Sequence, residues 1–198
     1  MRWPVLRLSK GGEGGGSGKR PYTPYMRNLE LKVRLEDPRA AHRRARDLGA
    51  ELWGDLRQTD TYFAVPRGLL KLRETAGYQA ELVYYERDET AETRTSNYDT
   101  ARSGDGAALR ELLTRALGVL AVVKKRRTLL LMDTTRIHLD NVDSLGDFLE
   151  IEVPVKDGDE EAASQRFQAL MTGLGYSPAD SIRASYLDLI LAAQAKDA

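Results

Sequence analysis

The 198-residue chain has no cysteine and only two histidines, three phenylalanines and two tryptophans. Without cysteine there is no disulfide framework, no thiol nucleophile and no Cys-built zinc or iron–sulfur centre. His42 and His138 alone argue against a multi-histidine metal site, so a resident metal would rest on carboxylates, the ligands that suit Mg²⁺ or Mn²⁺. Charge of one sign is also missing: 30 Lys and Arg balance 30 Asp and Glu, which argues against a nucleic-acid partner. No apolar run approaches the ~20 residues a membrane span needs, and the first ten residues lack a signal-peptide core. The expectation is a cytoplasmic protein with no membrane partner. What is present, 41% hydrophobic and 30% charged residues, suits one globular domain.

Residues 1–25 stand apart, with Gly11, Gly12, Gly14, Gly15, Gly16 and Gly18 followed by Pro21 and Pro24. A stretch this poor in apolar side chains cannot offset its ordering entropy, so a disordered, weakly basic tail is expected, with the folded domain over 26–195. Met26, just before the first patterned strand, could be the true start of translation. Beyond it, Leu29, Leu31, Val33 and Leu35 alternate with Asn28, Glu30, Lys32, Arg34 and Glu36, which predicts a strand over 28–36. Asp37, Pro38 and Gly49 bracket a helix over 38–49. Strands at 56–65, 68–75 and 79–87 follow, with a short one at Ser96–Thr100, a helix at Ala107–Leu117, strands at 119–132, 134–142 and 146–155, and helices at 159–173 and 178–194. Strands joined by tight turns or single helices predict an α+β fold with an antiparallel sheet. A weak repeat, helix then three strands in each half, suggests two half-sheets closing into an eight-stranded barrel with flanking helices.

The polar face of strand after strand is charged. Glu30 and Lys32, Lys71 and Arg73, Lys125 and Arg127, Arg136 with His138 and Asp140, and Glu150 with Glu152 each share a face. An outer solvated face would explain charge alone, but the helices carry apolar stripes (Leu109, Leu112, Leu113, Leu117; Phe167, Leu170, Met171, Leu174) that must cover the aliphatic side. Closure then turns the charges inward. Buried charges cost several kcal/mol each unless compensated, so such an interior suits water, counter-charges or a highly charged ligand. Cations for phosphate oxygens beside carboxylates for Mg²⁺ describe a polyphosphate site.

Leu29-Glu30-Leu31-Lys32, Lys125-Arg126-Arg127, Asp140 and Leu145-Gly146-Asp147-Phe148-Leu149-Glu150-Ile151-Glu152, in that order, resemble the CYTH superfamily of triphosphate tunnel metalloenzymes, and within it the class IV adenylyl cyclases. The resemblance spans about residues 27–190. It implies a closed antiparallel tunnel in which Lys32, Lys71, Arg73, Lys125, Arg127, Arg136 and Arg183 bind phosphate. Glu30, Glu150 and Glu152 would hold Mg²⁺ or Mn²⁺, and Glu30, Asp140 and Glu150 would be the catalytic acids. Ser185-Tyr186 would help close the tunnel. Three departures stand out: Asn28 replaces the first acid of the family's E-x-E-x-K motif, Glu86 stands where some members carry a substrate-binding lysine, and Glu152 adds an acid more typical of triphosphatases.

The implied activity is conversion of ATP to cyclic AMP and pyrophosphate. Hydrolysis of tripolyphosphate, thiamine triphosphate or a nucleoside triphosphate is the alternative, and nucleotide or polyphosphate binding without turnover a third. ATP or another triphosphate is the expected partner, and a homodimer is left open. Base recognition could rest on Tyr84, Tyr85 or Phe63, although packing explains these rings first, as a wall role explains His138.

Overall fold

The computed structural model describes residues 27–87, 96–156 and 158–197. The tail over 1–25, Met26, and the side chains of Glu86 and Arg87 lie outside the described residues. The elements run β1 (Arg27–Arg34), α1 (Pro38–Asp47), β2 (Glu51–Phe63), β3 (Leu69–Thr75), β4 (Ala80–Arg87), β5 (Ser96–Ser103), α2 (Gly106–Leu117), β6 (Val119–Met132), β7 (Thr135–Val142), β8 (Gly146–Val155), α3 (Glu160–Gly173) and α4 (Tyr186–Asp197), with a single 3₁₀ turn at Pro178–Asp180. All eight strands join one antiparallel sheet in the order β1-β8-β7-β6-β2-β3-β4-β5. The repeat seen in the sequence is real and extends by one strand: β1-α1-β2-β3-β4 is followed by β5-α2-β6-β7-β8. β2 and β6, the strand after each helix, pair at the centre, while β1 and β5 become the two edges.

The expected barrel does not close by hydrogen bonds, since no ladder joins β1 to β5 among the described residues. The two edges nevertheless approach to Cα distances within 8 Å. Part of β1's edge is taken by the segment before α4: the Ile182 amide donates to the Lys32 carbonyl at 2.7 Å.

One face of the sheet is aliphatic and covered by helices. Leu31, Val33, Ile137, Leu149, Ile151 and Val153 pack against Ala41 and Ala45 of α1, Leu170 and Met171 of α3, and Leu174 just after it. Phe63, Leu72 and Ala80 meet Leu109, Leu113 and Leu117 of α2. Leu112, counted in the predicted stripe, faces solvent instead.

The predicted helix over 178–194 is broken. Asp180 accepts from the Ser177 amide and hydroxyl, both at 2.8 Å, which caps the start of a single 3₁₀ turn; the chain then turns extended at Ser181, and Ser185 starts α4 anew by exchanging bonds with Asp188. Two Ser-x-x-Asp boxes eight residues apart therefore replace one long helix with an extended link between them. β2 also starts five residues earlier than predicted, through an irregularity between Leu52 and Gly54.

Candidate active site

Because side chains alternate along a strand, the register dictates which residues share the other, concave face. On β1 and β8, Glu30 lies opposite Glu152 and Lys32 opposite Glu150. Across β8, β7 and β6, Glu152 pairs with Arg136, Glu150 with His138, and Asp140 with Arg127. On the far side of β6 come Asp60 on β2 and its neighbour Arg73 on β3, with Lys71 opposite Tyr62. Every predicted site residue except Arg183 therefore lies on this face. Arg183 is exposed and makes no hydrogen bond or ion pair among the described residues.

These charges are buried (Lys32, Asp60, Lys125, Arg127, Asp140) or half-buried (Lys71, Arg73, Arg136, Glu150, Glu152), and paired. Arg127 grips Asp140 through two bonds, one of them 2.6 Å from Nε to Oδ1, and reaches Glu150 Oε2 at 2.7 Å. Asp140 is 1% exposed and also accepts from the Tyr186 hydroxyl at 2.9 Å. Lys32 Nζ lies 3.2 Å from Glu150 Oε1, donates to the Ala184 carbonyl, and stands 4.2 Å over the Tyr186 ring. Arg136 Nε donates to Glu152 Oε2 at 2.7 Å. Burial would raise the Glu150 carboxyl, but Lys32 and Arg127 hold it well below the usual range; burial against Arg136 leaves Glu152 lowered to about 2.

The residue that sequence reasoning passed over is Asp60. It is 1% exposed and binds three cations: Arg73 through two 2.7 Å bonds, Lys125 at 3.2 Å and Lys71 at 3.3 Å. Burial favours its neutral form, yet Arg73, Lys125 and Lys71 outweigh that and hold it well below the ordinary carboxylate range. Lys71 pays for the arrangement: burial, then the charge of Arg73, lower it to about 7 despite Asp60. Lys125 is lowered too, by burial first.

Glu150, Glu152 and His138 form a compact donor group, their ligand atoms all within 4.8 Å of one another. Two carboxylates side by side fit a hard divalent cation by the chemistry of their donors. Glu30 is half-buried opposite Glu152 but is not a member of the group. At the other end of the concave face, Tyr186, Leu187 and Ile190 of α4 pack on Tyr62, Tyr85, Val123 and Phe148, with Phe148 and Tyr186 edge to face at 5.2 Å. Tyr85 is thus core, as is Phe63 on the covered face. Two grooves of about 550 and 480 Å³ lie beside α2 and α1, and neither is lined by Glu150 or Glu152.

Comparisons with known proteins agree with this architecture. A family model described as the CYTH domain matches residues 26–186. Among solved structures, the PH1012 protein of Pyrococcus horikoshii is 27% identical with a TM-score of 0.73, over 82% of this chain and 98% of that one. An adenylate cyclase candidate from Vibrio parahaemolyticus is 18% identical (TM-score 0.71; 84% and 99% covered). An adenylyl cyclase candidate from Hippeastrum with a dominant triphosphatase activity is 16% identical (TM-score 0.63; 84% and 96% covered). No curated protein sequence matches the chain. Among the described residues, no helix is long and apolar enough to cross a membrane.

Proposed function

The chain belongs to the CYTH domain family, and from that premise we propose that it is a metal-dependent enzyme that binds a nucleoside triphosphate on its concave face and catalyses attack on the phosphate chain. The observation that carries the reading is the juxtaposition, on one buried surface, of a cation cluster (Lys71, Arg73, Lys125) with paired acids (Glu150, Glu152). The cations would hold the phosphate oxygens, with Arg127 and Lys32 at the junction of the two groups. Glu150 and Glu152, with Glu30 beside them, would hold Mg²⁺ or Mn²⁺, which when bound neutralises phosphate charge. On this reading the concave face is one wall of a tunnel that closes along the β1–β5 seam.

The reaction we favour is cyclisation of ATP, as in class IV adenylyl cyclases. The ribose 3′-oxygen forms a bond to the α-phosphorus, the bond from that phosphorus to the bridging oxygen breaks, pyrophosphate leaves with the electron pair, and the hydroxyl proton passes to solvent. Asp140, engaged by Arg127 and Tyr186, fixes the Arg127 guanidinium rather than taking that proton. Most of the acceleration comes from positioning and charge stabilisation.

A second reading, hydrolysis of a triphosphate by water, is favoured by α4. Its Tyr186, Leu187 and Ile190 fill one end of the concave face with apolar side chains, space that a base and ribose would otherwise use. Incubation with ATP, GTP, tripolyphosphate and thiamine triphosphate under Mg²⁺ and Mn²⁺, with products resolved, separates the readings. Cyclic AMP with pyrophosphate supports cyclisation, diphosphate with orthophosphate supports hydrolysis, and unchanged substrates throughout overturn both.

A further inference from the structure

His138 is 4% exposed, and its Nδ1 makes no hydrogen bond among the described residues. The nearest carboxylate oxygens are Glu152 Oε1 at 3.6 Å and Glu150 Oε2 at 3.8 Å, both beyond hydrogen-bonding reach. A buried ring nitrogen without a partner costs about 1–3 kcal/mol, and a small shift of either acid would satisfy it. That shift is opposed by cations: Lys32 and Arg127 hold Glu150, and Arg136 holds Glu152 through Oε2, leaving Oε1 turned toward the imidazole. The three donors stand apart at a spacing suited to a shared cation. Ligands bound about 2.1 Å from one metal ion lie roughly 3–4 Å from each other.

We propose that His138 Nδ1, with one oxygen each of Glu150 and Glu152, forms a mixed nitrogen–oxygen metal site that prefers first-row transition ions to Mg²⁺. It deepens the proposed function by assigning the metal class and a nitrogen ligand. Mg²⁺ takes oxygen donors and dehydrates reluctantly, so an imidazole adds little for it. Affinity of such a site rises from Mn²⁺ through Co²⁺, and imidazole suits the later ions. Three protein donors also leave coordination positions for substrate oxygens, as catalytic metal sites do.

The test uses the full chain, stripped of metal and reloaded with Mn²⁺, and reads nitrogen coupling by electron spin echo modulation. Directly coordinated ¹⁴N is expected, and calorimetry should rank Mg²⁺ below Mn²⁺ below Co²⁺. His138→Gln should remove the nitrogen coupling, weaken Co²⁺ and Mn²⁺ by at least about tenfold, and change Mg²⁺ by less than about threefold. Bound Mn²⁺ without nitrogen coupling in the parent overturns the proposal, as does an equal loss for all three ions in the variant or failure of the parent to bind Mn²⁺. The echo on the parent decides the matter even if the variant does not fold. Tripolyphosphate titrated into metal-free protein reads the cation cluster alone. Binding there upholds the triphosphate reading whatever becomes of His138, and its absence sinks that reading even where the metal finding stands.

Discussion

The two sides of the concave face solve the burial of charge in opposite ways. On the β2–β3–β6 side three cations share one carboxylate, Asp60, so the cluster keeps excess positive charge and Lys71 is lowered to about 7. On the β7–β8–β1 side, Asp140, Glu150 and Glu152, with Glu30 near them, face Lys32, Arg127 and Arg136, and acid is in excess. Neither side is balanced alone. A triphosphate carrying a divalent cation is complementary to both at once, which is why the asymmetry says more about the ligand than the total charge does.

The largest effect should follow from removing a carboxylate on the acid side. Glu150→Ala is expected to lower turnover of any productive triphosphate by on the order of 10²-fold or more, because it removes an oxygen donor from the metal group. Tripolyphosphate should still bind the metal-free variant, since Lys71, Arg73 and Lys125 are untouched. Isothermal titration beside product assays checks the split. Equal loss of turnover and metal-free binding would show that the two sides act as one.

Asp60→Asn breaks the other side. Buried Lys125 and half-buried Lys71 and Arg73 then share no carboxylate, and stability without ligand should fall by on the order of 3 kcal/mol. Tripolyphosphate should recover most of this in a thermal melt, because its oxygens replace those of Asp60, and it should bind at least as tightly as to the parent. Weaker binding together with an unrecovered melt would make Asp60 a component of the ligand site rather than its stand-in.

Asp60 also shows where sequence reading stopped. On β1, β7 and β8 one face is almost wholly Leu, Ile and Val, so the phase of alternation, and with it the inward set Glu30, Lys32, His138, Asp140, Glu150 and Glu152, could be read directly. β2 offers no such reference. On its outer face Arg57 is exposed and Thr59 half-buried, while Thr61 and Phe63 are buried, so neither face reads as aliphatic. The visible signal was the inward series Leu56, Gln58, Asp60, Tyr62, which becomes meaningful once Asp60 is placed opposite Arg73. Barrel closure was not legible for a related reason: it concerns the β1–β5 edges, and the sequence over 96–103 has no apolar alternation to specify a partner. The break before α4 was legible, in the Ser177–Asp180 and Ser185–Asp188 boxes.

A smaller, pH-dependent effect sharpens the comparison. Lys71 faces Asp60 and Tyr62 from β2, Arg73 on its own strand, Tyr85 from β4 and Lys125 from β6. With a folded value near 7 against 10.5 for the free side chain, the unfolded chain binds more protons between those values. Its burial therefore costs most below pH 7, and stability recovers as pH rises toward 10.5. Anion binding works in the reverse sense: a phosphate favours the ammonium, so binding takes up protons just above pH 7 and weakens as pH rises. Lys71→Arg, charged throughout, should remove that component. Titrations in buffers of differing ionisation enthalpy would show it, and identical proton uptake in parent and variant would remove Lys71 from the cation cluster's chemistry.

The smallest effect is expected where the two sides touch. Tyr186 donates to Asp140 on the acid side, while its ring lies 4.2 Å below Lys32 and 5.3 Å from Lys125, a cation of the Asp60 cluster. Tyr186→Phe removes only the hydroxyl. Asp140 keeps both bonds from Arg127, so the cost should be about 1.5 kcal/mol, a drop of roughly 3–6 °C in Tm, with tripolyphosphate affinity within about threefold. Tyr186→Leu also removes the ring, and with it the cation–π contacts and the edge contact with Phe148. Because the ring faces one lysine from each cluster, the leucine variant should weaken tripolyphosphate binding where the phenylalanine variant does not. If both variants bind alike, Tyr186 is packing for α4 and the two clusters meet only through Arg127.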